Sequence, residues 1–121
     1  MLWPIGLARP VLHAFRNITA AAPDELTLWA HLLRFPPIPE VPELLRGGAF
    51  VSVEVAYLGS AEDCERLLTP LRAIPGSWAD ALATVPLPEL GGIAAEPVDP
   101  MPAMEFAGLL SDFDEAVIDT W

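Results

Sequence analysis

The stretch ELTLWAHLLRF, Glu25–Phe35, reads in two ways, and the choice between them decides the fold. With a helical period, Leu26, Trp29, Ala30 and Leu33 form one apolar stripe. With a period of two, Leu26, Leu28, Ala30 and Leu32 share one side, and Thr27, Trp29, His31 and Leu33 share the other. Periodicity alone leaves both readings open.

Downstream the signals are plainer. Pro36, Pro37, Pro39 and Pro42 crowd the segment before Gly47-Gly48, which favours extended, polyproline-like backbone and forbids a regular ladder. The following ELLR fits a short helical turn. AFVSVEVAY is the clearest strand: Val51, Val53, Val55 and Tyr57 face one way, and Phe50, Ser52, Glu54 and Ala56 the other. Gly59-Ser60 ends it, and Ser60 is a good N-cap, with Asp63 where a capping box usually has Glu. Cys64, Leu67, Leu68 and Leu71 then make a helical stripe, and Pro70 should kink or end that helix. After IPGS, WADALATVPL is expected to be a strand ending at Pro86.

Upstream, MLWPI reads as a strand, with Pro4 suited only to an edge or an end. Val11, Leu12, Phe15 and Ile18 give a helix that Pro10 opens and Pro23 closes. With 25–34 extended, the order is strand, helix, strand, strand, helix, strand. The expectation is an α+β, ferredoxin-like split βαββαβ fold, with two helices on one face of a four-stranded antiparallel sheet. That core would span 1–86, followed by a Pro/Gly-rich connector at 87–104 and a strand–helix extension at 105–121. In the extension, EFAGLLSDF reads as a strand and Asp112-x-x-Glu115 as a helix start. Both ends of the sequence read as cut.

Composition bounds the function. The chain has 121 residues, a net charge of −11 and only six basic residues, all arginine. An acidic field of that size argues against nucleic acid and against an anionic membrane surface as partners. The one cysteine, Cys64, rules out an internal disulfide framework. No apolar run reaches the length of a membrane span, and the start is a poor secretory signal, so a cytoplasmic location is expected. With 53% apolar residues in so short a chain, one face is expected to meet a partner.

The run LWPIGLARPVLHAFRNITAAAPDELTLWAHLLRFPPIPEVPELLRGGAFVSVEVAYLG resembles the substrate-domain segment of FAD-linked oxidases of the berberine-bridge-enzyme-like group. In that group an LWP strand, a helix, a DELT strand and an LRFPP arch recur in similar order, and AEDCERLLTPLRAI, ATVP and DEAVIDTW continue the likeness. The resemblance implies that 25–34 is a strand. It also implies that the sheet covers a flavin ring, with the helices outside. FAD would then be the cofactor and a small molecule the substrate. A separate or upstream FAD-binding domain would complete the enzyme, without which this chain is expected to be inactive and to bind FAD weakly. The alternative is a free-standing ferredoxin-like module that binds a small ligand and forms a homodimer through its sheet.

Trp29, His31, Ser52 and Glu54 are the candidate substrate-facing residues, with Asp80 and Thr84 extending the same mixed face. Histidine can move a proton or orient a polar group, and a carboxylate near it would hold it in place. Ordinary polar alternation on a half-exposed sheet accounts for the same residues. His13 sits beside the core stripe of the first helix and reads as structural, and Cys64 reads as core. Asp112, Asp114, Glu115 and Asp119 match no calcium loop and read as charges near a helix start.

Overall fold

In the computed structural model, residues 1–93, 104 and 111–120 are described. They divide into two compact units, Met1–Thr84 and Val85–Trp121. The first unit is built around Ala49–Tyr57 (β3), a strand that carries no turn residue. Leu26–Arg34 (β2) pairs with it antiparallel along all nine residues, from Leu26 opposite Tyr57 to Arg34 opposite Ala49. Leu26–Arg34, the body of the ambiguous stretch, is therefore extended. Leu2–Pro4 (β1) pairs with the other side of β3, which gives the order β1-β3-β2.

The expected four-stranded sheet is not formed; the sheet has three strands. WADALATVPL touches the outer side of β1 through one bridge only, Leu2 opposite Ala79. There Leu2 N–H donates to the Ala79 carbonyl at 2.8 Å, and Trp78 N–H donates to the Leu2 carbonyl at 2.7 Å. The ladder stops for two physical reasons. β1 is three residues long and ends in Pro4, which has no N–H to offer. Beyond the bridge, the Asp80 carboxylate accepts from Leu82 N–H at 3.0 Å and turns the chain. Asp80–Pro86 has no regular structure. The split βαββαβ expectation thus gives way to a mixed α+β unit with three strands.

The helices lie on one face of the sheet. Ala8–Thr19 (α1) follows a single turn of 3-10 helix at Ile5–Leu7. It buries Val11, Ala14 and Ile18 against Trp3, Leu26, Val51 and Val53. Ala61–Leu67 (α2) begins at Ser60, whose hydroxyl accepts from Asp63 N–H at 3.1 Å and donates to the Asp63 carboxylate at 2.7 Å. Pro70 separates α2 from the four-residue Thr69–Arg72 (α3), because its missing N–H and its ring cannot continue the preceding turn. Cys64, Leu68 and Leu71 join the same core. Each fully buried side chain of this size stabilises by roughly 1.5–3 kcal/mol.

The proline arch is the loop of the β2–β3 hairpin. Phe35 N–H donates to the Gly48 carbonyl at 2.9 Å, one rung beyond the ladder. Arg46 ties the loop to itself: Nε donates to the Val41 carbonyl at 2.6 Å and Nη2 to the Pro39 carbonyl at 2.8 Å. Gly47 returns the chain with φ +69°, a left-handed conformation that glycine adopts at little cost.

In the second unit, Leu87–Gly92 forms 3-10 helix and Glu115–Thr120 forms the short helix α4. The cap of α4 is Asp114 rather than Asp112: its carboxylate accepts from Val117 N–H at 3.0 Å. Most of the connector beyond Ile93, and the expected strand in EFAGLLSDF up to Leu110, lie outside the described residues. No helix among the described residues is long and apolar enough to cross a membrane.

Candidate functional site

Strand alternation sorts the side chains of β2 and β3 into two sets. Val51, Val53 and Val55 meet the helices, together with Leu26, Leu28 and Ala30. The other set faces away: Thr27, Trp29, His31 and Leu33 on β2, with Phe50, Ser52, Glu54 and Ala56 on β3. All four candidate residues belong to this second set. Register places His31 opposite Ser52 and Trp29 opposite Glu54, so the four form one contiguous patch.

A linked chain of polar groups crosses the patch. The Ser52 hydroxyl donates to Glu54 Oε1 at 2.7 Å. The other carboxylate oxygen, Oε2, lies 3.3 Å from His31 Nε2, which makes an ion pair whenever the imidazole is protonated. That oxygen is buried and has no hydrogen bond within the chain, the imidazole at 3.3 Å included. A buried acceptor left without a donor costs about 1–3 kcal/mol. Exposure rises along the chain: Ser52 is 4% exposed, the Glu54 side chain 18% and the His31 side chain 48%. The inner end is fixed and the outer end meets whatever lies on the face.

Phe50 closes one end of the same face. Its ring meets Phe35 edge-on at 5.9 Å and Trp78 at 5.5 Å. Trp78 was not legible as a neighbour of this patch, because it arrives through the single bridge at Leu2 rather than through a strand. The α-amino group of Met1 donates to the Val53 carbonyl at 2.9 Å. Burial holds this ammonium below its ordinary value, against an opposing influence of Glu54, while Arg72 adds to the lowering.

Asp80 and Thr84 do not join the patch. Asp80 forms an ion pair with Arg72. It borders a cleft of about 280 Å³ with Met1, Trp3, Leu71, Arg72 and Trp78. Thr84 is exposed on irregular chain. The displacement follows from the missing fourth strand: without a ladder, 80–84 has no alternation to carry its polar side chains onto the sheet face. Arg72 also holds Glu65 through Nε at 2.9 Å and Nη2 at 2.7 Å, which keeps the Glu65 carboxyl below its usual range.

The remaining candidates have structural surroundings. His13 Nδ1 lies 3.2 Å from Arg16 Nη2 on the same helix. Cys64 is buried in the core, and burial, with Glu65 beside it, pushes its thiol up despite Arg72. Among the described residues, no group of three or more His, Cys, Asp or Glu side chains is placed to hold a metal.

Comparison of the sequence with models of known protein families and with curated proteins gives no match.

Proposed function

We propose that this chain supplies the substrate-facing sheet of an FAD-linked oxidoreductase, of the berberine-bridge-enzyme-like kind its sequence resembles. The carrying observation is the patch of Trp29, His31, Ser52 and Glu54 on the face turned away from the helices. A planar indole, an imidazole and a carboxylate suit the wall of a substrate pocket, where a few placed polar groups orient a mostly apolar ligand.

The same residues fit one part of FAD and not another. Trp29 and His31 offer flat, polarisable surface to a ring system. Glu54 puts negative charge on the face and would repel the diphosphate, so the phosphates belong against residues other than these. A bound flavin would supply the hydride acceptor for a substrate carbon. The part of this chain is to cover the ring side of the pocket, hold the substrate against it and exclude water. In this reading the helices are the outer layer and the core beneath them keeps the sheet rigid.

Titration of the 121-residue chain with riboflavin, followed by amide NMR, tests the reading. Shifts are expected at Trp29, His31, Ser52 and Glu54, at millimolar ligand on the scale of weak affinities. Shifts confined to α1–α3 or to the Arg72–Asp80 cleft would refute it, as would the absence of any shift. So would purification of the chain with a stoichiometric visible flavin band, since a lone wall should not retain FAD.

A further inference from the structure

The two edges of the sheet differ. The β1 edge is three residues long, ends in Pro4 and is met by Ala79. The β2 edge runs for nine residues, and nothing among the described residues pairs with it. A row of free N–H and C=O groups invites a second strand, and edges are commonly blunted by a lysine, a proline, a bulge or a short run. Leu26–Arg34 has no lysine, proline or glycine and pairs with β3 without a bulge. Two hydrogen bonds at the ends of the hairpin show which groups are free. Leu58 N–H donates to the Glu25 carbonyl at 3.0 Å, and Phe35 N–H to the Gly48 carbonyl at 2.9 Å. An antiparallel ladder alternates, so the odd-numbered residues between them turn N–H and C=O towards β3. Leu28, Ala30, Leu32 and Arg34 turn theirs outward, while Leu26 N–H is taken by the Pro23 carbonyl at 3.0 Å.

From this edge we infer that β2 pairs antiparallel with β2 of a second copy, Ala30 opposite Ala30, so that two three-stranded sheets become one continuous sheet. That register uses the whole strand and sets outward-facing groups against outward-facing groups. It places Leu32 opposite the partner's Leu28. Leu32 is on the helix side, yet the core takes in Leu26, Leu28 and Ala30 and leaves Leu32 36% exposed. The charges at the two ends of β2 are opposite: Arg34 is exposed at one, Asp24 and Glu25 at the other. Antiparallel pairing puts Arg34 opposite the partner's Leu26, with the partner's Asp24 one diagonal step beyond, roughly 7–8 Å between Cβ atoms, which a long side chain spans. The two-fold repeats this at the other end. A parallel pairing would instead set Arg34 beside Arg34 and Asp24 beside Asp24. The joint is only one strand pair, smaller than the roughly 1,200 Å² of a stable interface, so the dimer is weak and concentration-dependent. It uses the strand edge and leaves the patch of Trp29, His31, Ser52 and Glu54 open on each copy, so it stands apart from the proposed flavin reading.

The test combines sedimentation equilibrium with amide hydrogen exchange on the 121-residue chain. Each copy carries a net charge of −11, so both are run at about 0.15 M salt, where repulsion beyond about 8 Å is screened. The mass should rise from that of one chain towards that of two between about 10 μM and about 1 mM. Over the same range the amides of Leu28, Ala30, Leu32 and Arg34 should gain protection. Those of Thr27, Trp29, His31 and Leu33, bonded to β3, should be protected throughout and serve as the reference. Ala30→Pro removes an outward N–H and spares the β3 ladder, and Leu32→Lys puts a charge on the joint. Each should weaken the dimer at least about tenfold, because the two-fold doubles every loss. Arg34→Asp should weaken it too, and adding Asp24→Arg should restore it.

A single-chain mass across the whole range overturns the inference. Protection of the four outward amides in that monomer would mean that another segment of the same chain covers the edge. A dimer in which those amides exchange freely is joined through a different surface and overturns it as well. So does a dimer left unchanged by a folded Leu32→Lys chain, a result that remains readable if Ala30→Pro fails to fold. These measurements contain no flavin. A failed riboflavin titration beside a dimer with protected outward amides counts against the proposed oxidoreductase and not against the pairing.

Discussion

Val53→Ala measures how firmly the helices seal the sheet. Val53 is at the centre of β3, opposite Ala30, and is 0% exposed beneath the helices. The substitution removes two buried carbons. At about 0.8 kcal/mol for each, the lost transfer free energy is about 1.6 kcal/mol. The neighbours are held by the sheet register on one side and by α1 on the other, so collapse around the gap is limited. A residual void of roughly 40–50 Å³ at about 24 cal/mol per Å³ adds about 1 kcal/mol. The expected loss is therefore about 2–3 kcal/mol, a large share of the stability of a domain this size. Urea unfolding followed by tryptophan fluorescence reads it as a lower midpoint with an unchanged slope. The matched control is Thr27→Ala, on the opposite face and exposed, which should stay within about 0.5 kcal/mol. Equal losses at the two sites, or a loss at Val53 below about 1 kcal/mol, would show that the sheet faces are not divided as described.

The Glu65–Arg72 pair gives the chain an acid-sensitive component. Arg72 depresses the Glu65 carboxyl, so the stabilisation is complete above the ordinary carboxylate value and is lost as pH falls through the lower folded-state value. Urea midpoints measured from neutral to acid pH should fall more steeply for the unaltered chain than for Arg72→Ala; parallel curves would rule the pair out. Gly47→Ala places a side chain at φ +69° and should cost about 1–2 kcal/mol by the same unfolding assay, even though its Cβ would meet nothing closer than Pro37 Cβ at 3.9 Å. An unaltered midpoint would mean that the arch relaxes freely at this point.

The candidate site was partly legible in the residues. Ser52 and Glu54 are two apart on a strand, which is enough to put them on one face. Their contact with His31 needed more, because it depends on the register in which β2 meets β3, and a slip of one residue would send His31 to the helix side. Asp80 and Thr84 were misplaced for a related reason: their position on the face presupposed a ladder that a three-residue β1 ending in proline does not support. Trp78 beside Phe50 had no local signal, since long-range packing leaves no fixed spacing in the chain.

Local chemistry by itself determined the units that repeat or stop within a few residues. AFVSVEVAY alternates without a breaker and is a strand. Val11, Leu12, Phe15 and Ile18 recur at helical spacing on α1, with Val11, Leu12 and Ile18 buried and Phe15 partly buried. Ser60 caps α2, and Pro70 ends it, because a missing N–H acts on its own turn wherever the turn is placed. Glu25–Phe35 was decided by tertiary structure. Its apolar residues satisfy both periods, and only β3, a strand with an unpaired side, made the extended form the one that pairs nine residues, buries Leu26 and packs the partly buried Leu28 and Ala30 against the core. The number of strands was decided in the same way, since a strand exists only where a neighbour offers hydrogen-bonding groups along its length, and that is a property of two segments at once.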